Sequence, residues 1–182
     1  MTKQLEKTTW AIDKAHTDLS FSIAHFVIAK VKGSFKDFEG TVTSSTGDFS
    51  DATIDLTIKA SSIDTNETNR DAHLKTPDFF DVSTYPDIRF QSTLVKNGEG
   101  DGNGKNLIVE GDLTVNGVKK PITLDASFEG EFEHPQYKTT IAVFNVATKI
   151  PRREFNIGSS YPAAALGEVV QFTGALELMK QS

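Results

Sequence analysis

The sequence predicts an all-β fold: one domain over 1–182, built from eight antiparallel strands that close into a barrel, with a short two-helix insertion at about 64–82. Three observations carry this. Eight stretches alternate apolar and polar residues with the period of a half-buried strand. Asn116-Gly117, between Val115 and Val118, is the two-residue hairpin signal in which both central residues take positive φ. One segment, "NRDAHLKTPDFFD" (69–81), breaks the alternation with a crowd of charges followed by adjacent phenylalanines.

The first stretch, 19–27, sets Leu19, Phe21, Ile23 and His25 on one face and Ser20, Ser22 and Ala24 on the other. Strand 34–43 follows closely, then 53–59 with Ile54, Leu56 and Ile58 inward. After the insertion come 88–95 (Ile88, Phe90, Leu94) and 107–115 (Leu107, Val109, Leu113, Val115). The hairpin then leads into 122–132 (Ile122, Leu124, Ala126, Phe128, Phe132), followed by 139–149 (Ala142, Phe144, Val146) and 169–178 (Val170, Phe172, Leu176, Leu178). Pro121 cannot donate to a ladder, so a bulge or an unpaired position is expected there. Within the insertion, Asp64 with Glu67 resembles a capping box opening a helix over 66–75. Thr76 as cap and Pro77 in the first turn signal a second short helix.

Eight strands give an interior that side chains can just fill or that holds one small ligand. Gly40, Gly111, Ala126, Gly130, Ala142 and Gly174 fall on the apolar parity, where a packed lumen would want bulk. Each can mark a bend needed for closure. Together they favour free volume inside.

Composition removes several functions. Lys+Arg minus Asp+Glu is 19 − 25 = −6, with no block of like charge, which disfavours nucleic acid as a partner. With no cysteine there is no disulfide, thiolate metal site or cysteine nucleophile. No apolar run is long enough for a transmembrane segment, and the opening residues do not form a signal peptide, so a cytoplasmic location is expected. Thirteen Phe against one Trp and three Tyr suit a dry surface, either a core or a cavity wall.

Chemistry signals are sparse. The loop 96–105 fails as a phosphate cradle and as an EF-hand calcium loop on its spacing. His16, His25, His73 and His134 form no metal-ligating pair, so no metal site and no catalytic residue is assigned. His25 continues the inward row of its strand, as a core histidine or as a polar contact in the lumen. Arg70, His73 and Leu74 share a helix face, and Phe79 and Phe80 follow, which is the composition of a rim where an amphipathic molecule enters.

The stretches "IDKAHTDLSFSIAHFVIAKVKGSFKDFEG" (12–40), "SIDTNETNRDAHLKTPDFFDVSTYPDIRFQS" (62–92), "GDLTVNGVKKPITL" (111–124) and "IPRREFNIG" (150–158) resemble the YceI-like, polyisoprenoid-binding family in order along about residues 8–178. The resemblance implies a lipocalin-like barrel whose pore takes a long isoprenoid or other amphipathic lipid, commonly in a homodimer and commonly exported. Thr17 replaces the family's usual serine, and Asn156 stands where its R-x-D-F-G stretch has glycine. Asparagine tolerates the left-handed conformation, so the turn is expected to survive.

The expected function is a carrier or storage protein without a cofactor, its lipid tail against Phe21, Ile23, Phe38, Leu56, Ile58, Phe90, Leu113, Phe128, Phe144 and Phe172. Arg70, His73 and Arg152 are the expected head-group donors, and Phe79 and Phe80 the gate. Trp10 is expected to plug one end of the barrel. The alternative is an enzyme or stress-response factor acting on a small apolar molecule, with Asp71 and His73 as acid and base. A filled barrel that only presents an interaction surface is the third reading.

Overall fold

The computed structural model describes residues 6–99 and 105–182. Eleven strand segments make one sheet: β1 (Thr8–Ile12), β2 (Asp18–His25), β3 (Ala29–Phe35), β4 (Phe38–Ser44), β5 (Thr53–Lys59), β6 (Ile63–Asp64), β7 (Asp87–Asn97), β8 (Asn106–Val115), β9 (Val118–Glu133), β10 (Thr140–Pro151) and β11 (Val169–Lys180). They are eight strands in space. β1 and β2 both pair with β11, β3 pairs with β2 and β4 with β1, and β6 pairs with β3 and β5 with β4. Each of the first three strands is therefore broken once and continues, and the ring closes through β7, β8, β9, β10 and β11 back to β1. The barrel is the one expected, but its first strand begins earlier, at Thr8, and its second runs from Ala29.

The insertion holds one α-helix, α1 (Thr68–Leu74), not two. Its cap is Glu67, whose carboxylate accepts from the amides of Asn69 and Arg70 at 3.1 and 2.6 Å, while Asp64 serves the Asn66 amide outside the helix. Thr76 and Pro77 start no helix, because the Thr76 carbonyl is shared by the amides of Phe79 and Asp81, and Asp81 turns left-handed at φ 41°. The Asn116-Gly117 turn forms as expected, with φ of 51° and 71°.

The bulges lie elsewhere than at Pro121, which pairs with Asp112 in unbroken register. β10 pairs with β9 only from Asp125 onward, so the proline sits where the ladder on that side has ended. Register shifts occur instead between Ser92 and Leu94 and opposite Val143/Phe144. A one-residue bulge flips the parity of everything beyond it. Leu94 and Phe132 are consequently exposed, and Val95 is buried in Leu94's place.

The lumen has the free volume expected of it, with Ala126 in its wall, but Gly111 and Gly174 do not supply it. A Cβ on Gly111 would lie 2.5 Å from the Phe90 ring, and one on Gly174 would lie 2.8 Å from Val146. Neighbouring side chains have moved into the glycine gaps. Half of the glycine-rich loop 96–105, residues 100–104, lies outside the described residues.

Candidate functional site

The lumen holds a cavity of about 480 Å³, within the usual range for small-molecule sites. Its wall is hydrocarbon: Phe21 and Ile23 from β2, Leu56 and Ile58 from β5, Phe90 from β7, Leu113 from β8, Phe144 from β10 and Phe172 from β11 all line it. Alternation explains this, since residues two apart on a strand share a face.

The floor is an aromatic packing made largely by a loop. Phe49, from the 45–52 connection between β4 and β5, takes φ 59° and turns into the barrel, where it is 2% exposed. Its ring lies 5.4 Å from Trp10, 5.2 Å from Phe128 and 5.0 Å from Phe144. Trp10 is thus buried at this end, as expected, but it is Phe49 that faces the cavity. The loop is held by Asp51, whose carboxylate accepts from the hydroxyls of Ser44, Ser45 and Thr46 and from the Ser45 amide. Those donors, the Ser44 and Ser45 hydroxyls first, hold the Asp51 carboxyl well below the usual carboxylate range.

Two predicted wall residues do not reach the lumen. Phe38 is buried opposite Ile58, and Ile58 alone of that pair lines the cavity. Phe128 stacks on Phe144 at 5.0 Å and lies 5.2 Å from Phe49, and those two rings line the cavity where Phe128 does not. Sequence reasoning missed Phe49, Phe35 and Tyr161, which all line the cavity. The signal for Phe49 was a lone phenylalanine in the polar run "STGDFSD".

The other end is polar and open. Arg70 and His73 of α1, Tyr161, Ala165 and Leu166 of the 156–168 loop, and His25 and Phe26 of the β2–β3 hairpin line it. His73 and Phe26 also reach solvent, so the cavity opens here. Phe79 joins the two sides, with its ring 5.2 Å from His73 and 5.4 Å from Tyr161, while Phe80 meets Phe35 edge-on at 5.9 Å. His25 stacks on Phe26 at 4.2 Å, at the mouth and not in the core.

The three expected head-group donors differ. Arg152 is 0% exposed, and its guanidinium donates to the carbonyls of Gly167, Ile157, Gly158, Tyr161 and Leu166 at 2.5–3.1 Å. Those five bonds use all five of its N–H groups, so it is a clamp for the 156–168 loop and has none left for a ligand. Asn156, where glycine was expected, takes φ 56° beside it. Arg70 donates only Nε and Nη2, both to Thr65, and among the described residues its Nη1 has no partner. His73 meets Asp78 at 3.0 Å. Asp71 accepts from the Thr65 amide and hydroxyl, so Asp71 and His73 bond to separate partners and not to each other.

Among the described residues one group brings metal-ligating atoms together, Asp13, His16 and Glu177, within 4.8 Å of one another. Spacing concealed it, because Glu177 arrives from β11. His16 lies 2.7 Å from Asp13, which raises the imidazole pKa and lowers that of the carboxyl. The group lies at the break between β1 and β2 and lines no part of the cavity. No helix among the described residues is long and apolar enough to cross a membrane.

Protein YceI of Escherichia coli O6:H1 is 39% identical over 150 residues, spanning 81% of this chain and 75% of that protein. The crystal structure of the Campylobacter jejuni YCEI protein superposes with a TM-score of 0.75 at 31% identity, over 93% of this chain and 96% of that one. A polyisoprenoid binding domain from Saccharophagus degradans, 14% identical, shares the fold with a TM-score of 0.69 over 94% and 98% of the two chains. The model of the YceI-like domain matches residues 10–178, nearly the whole barrel, and the chain belongs to that family.

Proposed function

We propose that the barrel binds a long-chain isoprenoid or similar amphipathic lipid, tail inward, as a carrier or storage protein. The observation that carries this is the cavity: a lumen of about 480 Å³ with a largely apolar wall, an aromatic floor, and Arg70 and His73 at its open end. The isoprenoid class draws support from the binding named for the Saccharophagus degradans domain that shares this fold.

Magnitudes divide the work between tail and head. Each buried methylene contributes about 0.8 kcal/mol, so about ten supply roughly 8 kcal/mol, of micromolar order before ordering costs. A partly exposed ion pair at Arg70 adds about 1 kcal/mol or less. Affinity follows tail length, and the head group at Arg70 and His73 sets orientation. Solvent extraction of the purified protein followed by mass spectrometry is expected to yield a long-chain amphipathic lipid. Binding that survives a short tail but not a changed head group contradicts the proposal.

A further inference from the structure

Among the described residues, the tip of the β2–β3 hairpin is an exposed apolar run. Phe26, Val27 and Ile28 are consecutive, apolar and 63%, 76% and 93% exposed. Phe26 and Val27 have φ of 45° and 68°, a region that side chains avoid and that a β-branched residue avoids most. The fold thus spends an unfavourable backbone conformation on presenting three apolar side chains to water, where they contribute nothing to its core. Exposed apolar clusters of this kind mark contacts with another apolar phase.

Its surroundings identify that phase. The tip is continuous with the cavity mouth: Phe26 also lines the cavity, its amide donates to the Ala165 carbonyl, and His25 bridges to Leu166. The adjoining run "GSSYPAAAL" (158–166) carries no charge, so tip and loop form one uncharged rim. Behind the rim the outer wall is basic. Lys32, Ser22, Gln171 and Lys149 face one another across β3, β2, β11 and β10, on the parity opposite Phe21, Phe172 and Ile150 of the lumen, and Lys30 lies one step nearer the tip. Lys30, Lys32 and Lys149 are exposed, and none is in an ion pair among the described residues. Of the carboxylates around the rim, Glu168 pairs with Arg153, Asp78 with His73, and Glu67 caps α1, while exposed Glu154 has no ion-pair partner among the described residues. At about 3.3 Å per residue, Lys30 starts about 7 Å and Lys32 about 13 Å behind Ile28. That suits a tip sunk about 5–10 Å into a bilayer with ammonium groups at the phosphates.

We infer that this hairpin docks the barrel on the surface of an anionic lipid bilayer, with Phe26, Val27 and Ile28 inserted among the acyl chains and Lys30, Lys32 and Lys149 against lipid phosphates. Docking sets the cavity mouth on the membrane, so a lipid passes between bilayer and lumen along an uncharged rim without crossing water. The inference rests on the proposed lipid-binding lumen for its purpose but not for its test.

The chain has no cysteine, so Val27→Cys carries a single environment-sensitive nitrobenzoxadiazole label. With vesicles of phosphatidylcholine and phosphatidylglycerol the label is expected to brighten and shift to the blue, and the protein to co-sediment. In the otherwise unlabelled chain, Ile28→Asp is expected to weaken co-sedimentation by at least about tenfold. Replacing Lys30 and Lys32 by Gln is expected to weaken it by about fivefold per lysine at low salt and much less at high salt. The tip residues are exposed, so these variants fold, and an unchanged circular dichroism melt verifies it. Uptake of phenylnaphthylamine without vesicles reads the lumen separately and is expected to be equal in wild type and Ile28→Asp. Co-sedimentation indifferent to Ile28→Asp, or a label that shifts on self-association without responding to vesicles, overturns the docking inference. Failure of the wild type to take up the probe would count against the lumen instead.

Discussion

The two ends of the barrel are closed by opposite means. At the floor, Trp10, Phe49, Phe128 and Phe144 pack ring against ring, with Phe49 delivered by a loop. At the mouth, a buried cation organises main chain: Arg152 collects five carbonyls, and the Asn116 side-chain amide donates to the carbonyls of Phe79 and Phe155 at 2.6 and 3.0 Å. Ring packing fills space and excludes water, so it seals. Hydrogen bonds to a loop fix its path without filling the space beneath it, so they hold a hole open. The difference accounts for a lumen that is shut at one end and accessible at the other.

If that division holds, the mouth is the more fragile end. Arg152→Met keeps the volume but removes a donor from five carbonyls at once; Gly158 keeps the Tyr161 amide and Tyr161 keeps Arg153, while the carbonyls of Ile157, Leu166 and Gly167 are left without a partner among the described residues. The expected loss is about 4 kcal/mol or more, read by urea denaturation, with early proteolysis in 156–168. Phe49→Ala leaves the mouth intact and removes the floor, at an expected cost of about 3–5 kcal/mol. It also deepens the cavity, so the extracted lipids are expected to shift to longer chains. Proteolysis appearing first at 45–52 in both variants would show that the ends do not fail independently.

Most of the wall was legible because a strand's period of two is a local property. Phe21, Ile23, Leu56, Ile58, Phe90, Leu113, Phe144 and Phe172 follow from it directly. Leu94 and Phe132 were misplaced because a bulge shifts parity without any residue in the sequence announcing it. The ends were harder, since loops carry no period. Arg152 read as a donor to a ligand because an arginine near a mouth looks available. Only the path of 156–168 shows that its N–H groups are consumed. Arg70 and Arg152 cannot be told apart by residue type, and burial alone separates them. Phe26 and Val27 read as the end of the strand 19–27, because both are good strand formers. The left-handed backbone of Phe26 and Val27 is a tertiary fact.

The smallest expected effect is a pH dependence confined to the floor. Asp51 is the acceptor that ties Ser44, Ser45 and Thr46 into the loop carrying Phe49. Its carboxyl titrates well below the unfolded value near 3.9, so the native state binds this proton less readily than the unfolded chain does. The stability it contributes is fully present above that unfolded value and is lost as pH falls toward the folded one. The group is exposed, so solvent screening keeps the effect modest. Melting temperature is therefore expected to decline more steeply below about pH 4 in wild type than in Asp51→Asn, with the two curves running parallel above pH 5. Equal slopes at low pH would mean that hydroxyl donors alone position the loop, and that ring packing around Phe49 closes the floor without help from charge.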